Sequence, residues 1–499
     1  MKGSWLNKGL MVVLASAVLA GCTSRPAPEA EQTSSLKVMF SDEGYFFQQY
    51  GDLFAMEKPN IEIEVVSTNR IYRDNPDGLV DYNKALEEFI EKEQPDVVML
   101  NTETYERMAS EGKLAEMDTL IERDKYDTQS IYPALMEILK DKGGGKLYGL
   151  APTFYGNVIF YNADLFTKYG IEVPHDGMTW QEILDTARRF PTDGDTDTRV
   201  YGFGTNYGMT MEQLASNIAA TQGLKFINTD TMQVTLNTDS WKQAYKLAMD
   251  AIDSQAIYNP GDTAFQGGSM EDYYKSQLFL MGRMAMTVEG PYMLQNLKDV
   301  QDRVNDYKPF QLGAVAGPVD PADPETSRNI FFNDIFGIRA NSPNADAAWE
   351  FIKFVNSEKF AKVKSRTMNG GLLSRMNVSK EYNGLNLDVF YKLKPSLNSD
   401  SSEDYTKIPE AFHMEYYGIL TREIQLAQDK KKSIEEALQT IEDESQALLN
   451  KAIKDEAAEK GSDDGSTAGE ADDAATSGES GAESGTADNT ADEVSVTVE

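Results

Sequence analysis

The chain alternates short apolar strand patterns with amphipathic helix patterns. Leu36–Phe40, Ile61–Val66 and Val97–Leu100 are β-rich runs, and the last of them is continuously apolar, as buried parallel strands are. Helical spacing separates these runs at Tyr45–Met56 and Tyr82–Lys92. The order strand, helix, strand, helix, strand predicts an α/β fold whose neighbouring strands are mainly parallel.

A second unit of the same kind follows the first. Tyr148–Leu150 and Val158–Tyr161 have extended patterns, and Thr179-Trp180-Gln181-Glu182 is a capping box that predicts a helix start. Ser433-Ile434-Glu435-Glu436 opens a last long helix in the same way. The 499 residues are enough for two or three domains. Helical patterns also cover 240–253, 270–281, 292–300 and 344–356.

The N-terminus has the pattern of a secretory signal peptide. Lys2 and Lys8 precede the apolar stretch Leu10–Ala20, which is too short to span a bilayer permanently. Leu19-Ala20-Gly21-Cys22 resembles the lipobox of bacterial lipoproteins, in which the sulfur receives a diacylglycerol and the chain is cut before it. We therefore predict a signal peptide at 1–21 and a lipid on Cys22 that anchors the protein to the bacterial cell membrane, outside the cytoplasm. The alternative is an ordinary signal peptide with an incidental cysteine.

Composition removes several classes of function. Cys22 is the only cysteine, so the chain has no intramolecular disulfide, no Cys-based metal site and no Cys nucleophile. The two histidines, His175 and His413, are far apart in sequence and give no basis for a His-rich metal site. The net charge is -34, and it is still -23 without the eleven acids that follow residue 460. Such a chain has no basic footprint for nucleic acid.

Both ends of the chain lack residues that could form a core. Residues 22–35 are rich in Pro, Ala, Glu, Ser and Thr, and we expect a flexible linker between the lipid and the fold. Residues 456–499 repeat Gly, Ser, Ala, Thr, Asp and Glu without aromatic residues, which predicts a disordered acidic tail. A stalk or a partner-binding role for this tail is the alternative.

Five segments follow one another in an order that a known family shares. They are Gly145–Pro152, Phe160–Phe166, Thr179–Leu184, Gly282–Tyr292, and Phe336-Gly337-Ile338 with Ala347–Ile352. In this order they resemble the carbohydrate-type extracellular solute-binding proteins of ABC importers, the branch that includes maltose-binding protein. The fourth segment is similar to the family's G-x-x-A-M-T-x-x-G-P-W pattern. The resemblance covers about residues 36–454.

The resemblance implies a two-lobed α/β fold of the type II periplasmic-binding-protein kind. The lobes would be residues 36–150 with 313–357 and residues 151–312 with 358–455, joined by crossing hinge segments. Such a protein is no enzyme and has no cofactor: it captures a carbohydrate, here expected to be an oligosaccharide, between its lobes. Closing on the ligand by a hinge motion, it delivers the ligand to the ABC permease in the membrane. We expect a monomer.

A sugar site needs aromatic rings that stack on the apolar faces of the sugar. Tyr292 stands where the family pattern has its stacking Trp. Tyr207, in Asn206-Tyr207-Gly208, resembles the cleft aromatic that follows a second-lobe strand, and Tyr416 falls at another aromatic position of the family. For each of the three, packing in a core is the alternative.

The sugar hydroxyls need carboxylates and amides, which open α/β sheets place at strand ends. The polar candidates at such ends are Asp42, Glu43, Asn101, Glu103, Tyr155, Asn157 and Glu289. Helix caps or solvated loop positions are the alternative for each. Some relatives carry a sugar-binding carboxylate in the crossover, whereas Phe154-Tyr155-Gly156-Asn157 has none, which argues against a maltose-like ligand.

The loop Asp193-Gly194-Asp195-Thr196-Asp197 has carboxylates at alternate positions, as calcium loops do. It lacks the Gly at loop position six and the Glu at position twelve. Some relatives have a similar turn before a Tyr-Gly pair, matched here by Tyr201-Gly202. A simple turn is therefore the main interpretation, and a calcium site at Asp193, Asp195 and Asp197 is the alternative.

Two other classes of function remain open from the residues alone. A lipid-anchored glycoside hydrolase would use two of the many carboxylates, although no Ser-His-Asp pattern, metal cluster or phosphate loop is visible. A sensor or adhesion protein would use the same two lobes without a permease partner. An enzyme would consume the sugar, and a sensor would bind it without supporting uptake.

Overall fold

The computed structural model describes residues 34–73, 82–195, 198–206, 208–259, 267–332, 334–368, 370–396 and 407–463. The predicted signal peptide, Cys22, most of the linker and the tail from residue 464 lie outside the described residues. Tyr207 and Asp197 also lie outside them.

The described part contains strands and helices in alternation. The strands are β1 (Ser34–Phe40), β2 (Ile61–Ser67), β3 (Val97–Leu100), β4 (Gly149–Leu150), β5 (Thr153–Gly156), β6 (Val158–Asn162), β7 (Tyr201–Phe203), β8 (Ile227–Asn228), β9 (Gln233–Val234), β10 (Met284–Glu289), β11 (Leu312–Val315), β12 (Thr326–Ser327), β13 (Ile330–Phe331), β14 (Ile335–Ile338), β15 (Leu372–Leu373), β16 (Glu381–Tyr382), β17 (Leu385–Asn386) and β18 (Lys394–Pro395). The helices are α1 (Glu43–Phe46), α2 (Asp52–Glu57), α3 (Asn69–Arg73), α4 (Tyr82–Glu93), α5 (Thr102–Ser110), α6 (Asp118–Asp124), α7 (Pro133–Lys142), α8 (Ala163–Tyr169), α9 (Trp180–Ala187), α10 (Met211–Thr221), α11 (Asp239–Asp253), α12 (Met270–Ser276), α13 (Tyr292–Arg303), α14 (Ala345–Val355), α15 (Glu358–Lys364), α16 (Glu410–Gln428) and α17 (Ile434–Asp463).

The first lobe is built on a five-stranded sheet of order β2-β1-β3-β14-β4. β1 runs parallel to β2 and β3, with Val38 opposite Val65 and Val97. β14 runs antiparallel to β3 and β4. Val38, Val97 and Phe336 are fully buried, as expected for a sheet covered by helices on both faces. The three predicted strands and the parallel pairing of β1 with β2 and β3 are confirmed, whereas β14 adds antiparallel pairings with β3 and β4.

The second lobe has a four-stranded sheet of order β11-β6-β10-β7. β10 is parallel to β7 and antiparallel to β6. A cluster of buried side chains from α8–α11, α16 and α17 includes Ile159 of this sheet. Another cluster, continuous with the first lobe, contains Phe160 together with α13 and residues 382–390. Side chains of β6 thus pack on both faces, as strand alternation requires.

Three short strands join the two lobes. β5 lies between β13 and β15, antiparallel to both. β5 connects β4 of the first sheet to β6 of the second, and β13 leads back to β14. These strands, here called the hinge sheet, are the crossing segments that the family resemblance implies.

The lobe boundaries differ from the prediction in two places. β11 pairs with β6 of the second sheet, Gly313 facing Tyr161, although we expected the first lobe to resume at residue 313. α15 packs on the first lobe, where Phe360 stacks on Tyr50 at a ring-centroid distance of 5.8 Å, although we expected 358 onward in the second lobe. The reason is that the chain returns at β13, later than predicted, and α15 then stays with α14.

Local signals located the helix starts well. Both capping boxes are present: Glu182 accepts from the Thr179 N–H at 2.8 Å, and Glu436 accepts from the Ser433 N–H at 2.9 Å. The predicted helix 45–56 instead divides into α1, a π-helical turn at Phe47–Gly51, and α2. The predicted helix at 270–281 ends at Ser276. None of the described helices has the length and apolar character that crossing a membrane requires.

Asp96 fastens the start of β3 to the loop before α14. Its carboxylate is 3% exposed and accepts from the Lys37 N–H at 2.9 Å, the Ser342 hydroxyl at 2.7 Å and the Asn344 amide at 3.2 Å. We expect Asp96→Ala to lower the free energy of unfolding by about 2–3 kcal/mol, because buried donors lose their acceptor. Urea unfolding measures this, with the exposed Asp52→Ala as control. Equal stability of the two variants would contradict the assignment.

Candidate functional site

Polar side chains of the first lobe meet at one edge of its sheet. β1 and β3 are parallel and end at Phe40 and Leu100, and β14 is antiparallel, so it begins at the same edge, with Ile335 opposite Leu100. Asp42 and Asn101 follow β1 and β3, and Asp334 precedes β14. Loops at this edge lead directly into the hinge sheet, because β13 ends at Phe331 and β5 begins after β4.

A matching edge exists on the second lobe. Glu289 ends β10 and pairs with Val158, the first residue of β6. Asn157 and Tyr292 therefore lie beside it, and a Cβ placed on Gly290 would be 3.3 Å from both the Asn157 Oδ1 atom and the Tyr292 ring. The Tyr292 hydroxyl donates to the Glu289 carboxylate, and the Tyr292 ring is 44% exposed.

Two aromatic side chains lie on the hinge sheet between these edges. Tyr155 of β5 faces Phe331 of β13, and their rings stack at 5.6 Å with an angle of 14° between the planes. Phe331 is 44% exposed. Gly371 has a φ of 86°, which favours glycine, and a Cβ there would come within 3.2 Å of the Tyr155 ring. The site thus has an aromatic floor held by close backbone packing.

Asp334 is the centre of a polar cluster on the first lobe. The Tyr50 hydroxyl donates to its carboxylate. Burial raises the pKa of Asp334, while the Tyr50 hydrogen bond and the charge of Lys364 oppose that rise. Burial also lowers the pKa of Lys364, whose ammonium donates to the Gln49 side-chain oxygen at 2.6 Å.

Two further tyrosines lie close enough to Asp334 to sense its charge. Burial, and then the negative charge of Asp334, raise the pKa of Tyr45. Burial, followed by the charges of Tyr45 and Asp334, raises the pKa of Tyr155. Tyr45 is 44% exposed and follows Asp42 at the same edge of the sheet. Tyr45 and Tyr155 are therefore both neighbours of Asp334, one at the first-lobe edge and one on the hinge sheet.

Glu289 has a different environment from Asp334. Burial raises its pKa to about 7. Its partner among the described residues is the hydroxyl of Tyr292, and no described cation pairs with it. A carboxyl group in this state can donate or accept a hydrogen bond near neutral pH.

Several predicted residues act as helix caps at the same edge. Asp42 caps α1 by accepting from the Tyr45 N–H at 2.9 Å, and Asn101 caps α5 by accepting from the Thr104 N–H at 2.8 Å. Glu43 and Glu103 lie in the first turns of those helices. Asp42 and Asn101 are therefore helix caps. Their side-chain oxygens still have lone pairs that could accept a hydrogen bond from a ligand at this edge.

Tyr416 lies away from both edges. It is 7% exposed, and its ring stacks on Phe412 at 5.3 Å and on Phe226 at 5.1 Å. These residues belong to the core between α16 and the second sheet. Its placement fits the core-packing alternative, and we leave Tyr416 out of the site.

The acidic loop forms a turn where it is described. The Asp195 carboxylate accepts from the Thr198 N–H at 2.9 Å and from the Thr198 hydroxyl at 2.6 Å. Asp193 is exposed, and Asp197 is outside the described residues. Within the described ranges, no group of three His, Cys, Asp or Glu side chains could hold a metal ion.

Sequence reasoning missed Asp334, Tyr50, Lys364 and Phe331. The rule that ligands lie at the carboxyl ends of strands holds for parallel strands, but an antiparallel strand brings its first residue to that edge instead. Asp334 directly precedes the Ile335–Ile338 run, part of which carries the family resemblance. An acidic residue directly before an apolar strand was therefore the sequence signal that could have identified Asp334. Tyr50 carried none, because it occupies a buried helical position.

Residues 34–362 match the family described as bacterial extracellular solute-binding protein. The chain belongs to this family. The protein is therefore a solute-binding protein and not an enzyme, and its family acts outside the cell. A curated relative from Brucella abortus (strain 2308), named only for a binding role, is 24% identical over 387 residues, which are 76% of this chain and 84% of that protein.

Solved structures of similar proteins share the two-lobed fold. The sugar-binding protein MalE from Xanthomonas citri has a TM-score of 0.55 at 16% identity and covers 84% of this chain and 98% of its own. A sugar transporter protein from Rhizobium etli in an open conformation has a TM-score of 0.53 at 19% identity, covering 83% and 99%. An ABC substrate-binding protein of Listeria monocytogenes in complex with cycloalternan has a TM-score of 0.50 at 22% identity, covering 84% and 99%. The predicted fold class is confirmed.

The raised pKa of Glu289 predicts how stability depends on pH without ligand. The folded protein binds the Glu289 proton more tightly than the unfolded chain does. The stabilisation is therefore complete below the unfolded pKa of about 4.5 and is lost as pH rises through about 7. Glu289→Gln cannot ionise, so we expect its melting temperature relative to the parent to rise between pH 5 and 8. Parallel melting curves of the two proteins across that range would contradict the environment described.

Proposed function

We propose that this protein is a lipid-anchored receptor that captures a carbohydrate, in the form of an oligosaccharide, between its lobes and delivers it to an ABC permease. The observation that carries the proposal is the joint surface of exposed aromatic rings and partly buried carboxylates. Tyr155 and Phe331 form its floor, Asp334 lies at the edge of the first sheet, and Glu289 lies at the edge of the second.

This surface suits a sugar for chemical reasons. The apolar C–H face of a sugar ring stacks on an aromatic ring, and Tyr45, Tyr292 and Phe331 each offer a ring 44% exposed. Sugar hydroxyls both donate and accept hydrogen bonds, which suits the carboxyl groups of Asp334 and Glu289. The sugar-binding role named for the Xanthomonas protein and the cycloalternan bound to the Listeria protein support the same class of ligand.

Capture requires the ligand to contact both lobes. A ligand shifts the open–closed equilibrium only by the difference in its affinity for the two states. In the proposed closed state a ligand would engage Asp334 on one edge and Glu289 on the other together. The closed form is then the one that a permease would accept. A sensor with the same lobes would close equally well, so uptake is the property that separates the two functions.

A carbohydrate screen tests the proposal directly. We expect an oligosaccharide to raise the melting temperature of the mature protein, because a ligand that binds only the folded state stabilises it by about 2.7 kcal/mol at a hundred times its Kd. Tyr292→Ala should weaken binding of that sugar by about 1–2 kcal/mol through loss of a stacked ring. Titration calorimetry on the parent and the variant measures the difference.

The matched control for this variant is Tyr417→Ala. Tyr417 is also an exposed helical tyrosine, at 64%, but its neighbour is Tyr416, which belongs to the core of the second lobe. The Tyr417→Ala variant should bind the sugar as the parent does. If a peptide or another solute stabilises the protein and no sugar does, the carbohydrate assignment is wrong, and the receptor function remains.

Lipid anchoring rests on the lipobox-like Leu19-Ala20-Gly21-Cys22 sequence. We expect the mature chain to begin at Cys22, to carry a diacylglycerol on the sulfur and to fractionate with membranes. Cys22→Ser removes the acceptor sulfur, so the protein should leave the membrane fraction with its sugar affinity unchanged. Mass spectrometry of the N-terminal peptide identifies the lipid. An unmodified thiol at that position would refute the anchor without touching the sugar site.

A further inference from the structure

A stacked tyrosine pair lies at the outer end of the first-lobe edge. Tyr72 is on α3 and Tyr82 is the first residue of α4. Their rings are 5.6 Å apart with an angle of 14° between the planes. Tyr72 is 61% exposed, while Tyr82 is half-buried behind it. Exposed single aromatic residues are common on protein surfaces, but a ring held flat against a second ring is a prepared platform.

Hydrogen bonds attach this pair to the edge that carries the site. Burial raises the pKa of Tyr82, and the side chain of Thr68, which is 7% exposed, lies close enough to the Tyr82 hydroxyl to oppose that rise. Thr68 follows β2, and its N–H donates to the carbonyl of Phe40 at the end of β1 at 2.9 Å. The Ser67 hydroxyl donates to the Ser41 carbonyl at 2.6 Å. The pair therefore stands at the same edge as Asp42, one strand further out.

The pair lies further from the hinge than two other aromatic side chains of the site. Tyr155 lies on the hinge sheet, and burial together with the charge of Asp334 raises the pKa of both Tyr155 and Tyr45. Tyr45 also packs on Phe40 at a ring distance of 6.0 Å. The sheet order β2-β1-β3-β14 puts three strand spacings between Asp334 and the outer pair, about 14 Å. One sugar ring cannot reach across that span, whereas an oligosaccharide can.

We propose that Tyr72, backed by Tyr82, is an outer subsite that stacks on one ring of an oligosaccharide whose inner rings lie at Tyr45 and at Tyr155 with Phe331. This rests on the proposed function and adds to it the place where an outer ring of the oligosaccharide binds. Tyr82 holds the Tyr72 ring in place before binding, which reduces the ordering cost of the contact. The subsite contributes affinity only to ligands long enough to reach it.

An array of linear oligosaccharides of one to six units tests this for several sugar types at once. Glucans, xylans, mannans and galactans serve as probes for the full mature protein. Affinity of the parent for the preferred series should rise with chain length. Tyr72→Ala should lose about tenfold for the longest member, as expected for one stacked ring, and bind the shortest member as the parent does. Tyr72→Phe keeps the aromatic ring, so its affinity should still rise with chain length as in the parent.

The controls separate the subsite from the rest of the protein. Tyr417→Ala, an exposed tyrosine of the other lobe, should leave the length dependence intact. Equal melting temperatures establish that Tyr72→Ala is folded. A length gain that survives in Tyr72→Ala overturns the outer subsite and leaves the proposed function standing. A parent that binds single sugars without any gain overturns the outer subsite together with the oligosaccharide, and leaves a receptor for a carbohydrate. A parent that binds no carbohydrate of the array overturns both.

Discussion

The site depends on β5, which is hydrogen-bonded on both of its edges within the hinge sheet. β13 and β15 flank it, so the segments that cross between the lobes are held together as one three-stranded sheet. Because Tyr155 lies on β5 and pairs with Phe331 on β13, the aromatic floor belongs to the hinge itself. A ligand resting on this floor is therefore in contact with the element about which the lobes would turn.

Features set by local sequence could be predicted well. The strands at 36–40, 61–66 and 97–100 follow from apolar runs, and the helix starts at Thr179 and Ser433 follow from capping boxes. The edge residues Asp42, Asn101 and Glu289 follow from a general rule about strand ends. All of these signals extend over fewer than about ten residues, and short-range rules are sufficient for them.

Features set by long-range pairing could not be predicted in this way. β11 joins the second sheet and Asp334 reaches the first-lobe edge because of antiparallel pairings whose partners are far away in sequence. Whether a single aromatic residue is buried is equally hard to predict from local sequence. Tyr292 and Tyr416 both lie on helices, yet one is 44% exposed at the site and the other is 7% exposed in a core. Only the packing of neighbouring elements separates them.

The two edge carboxyl groups are prepared for different tasks. Tyr50 donates to Asp334 and the charge of Lys364 is nearby, so the first-lobe carboxyl group is partly compensated before any ligand arrives, although burial still raises its pKa. Glu289 has the Tyr292 hydroxyl as its described partner, and burial keeps its pKa near 7. In the proposed closed state Glu289 would be buried further, which would cost free energy unless the ligand supplied a hydrogen bond. An empty closed state would then be penalised at Glu289, and a ligand with hydroxyl groups would remove that penalty.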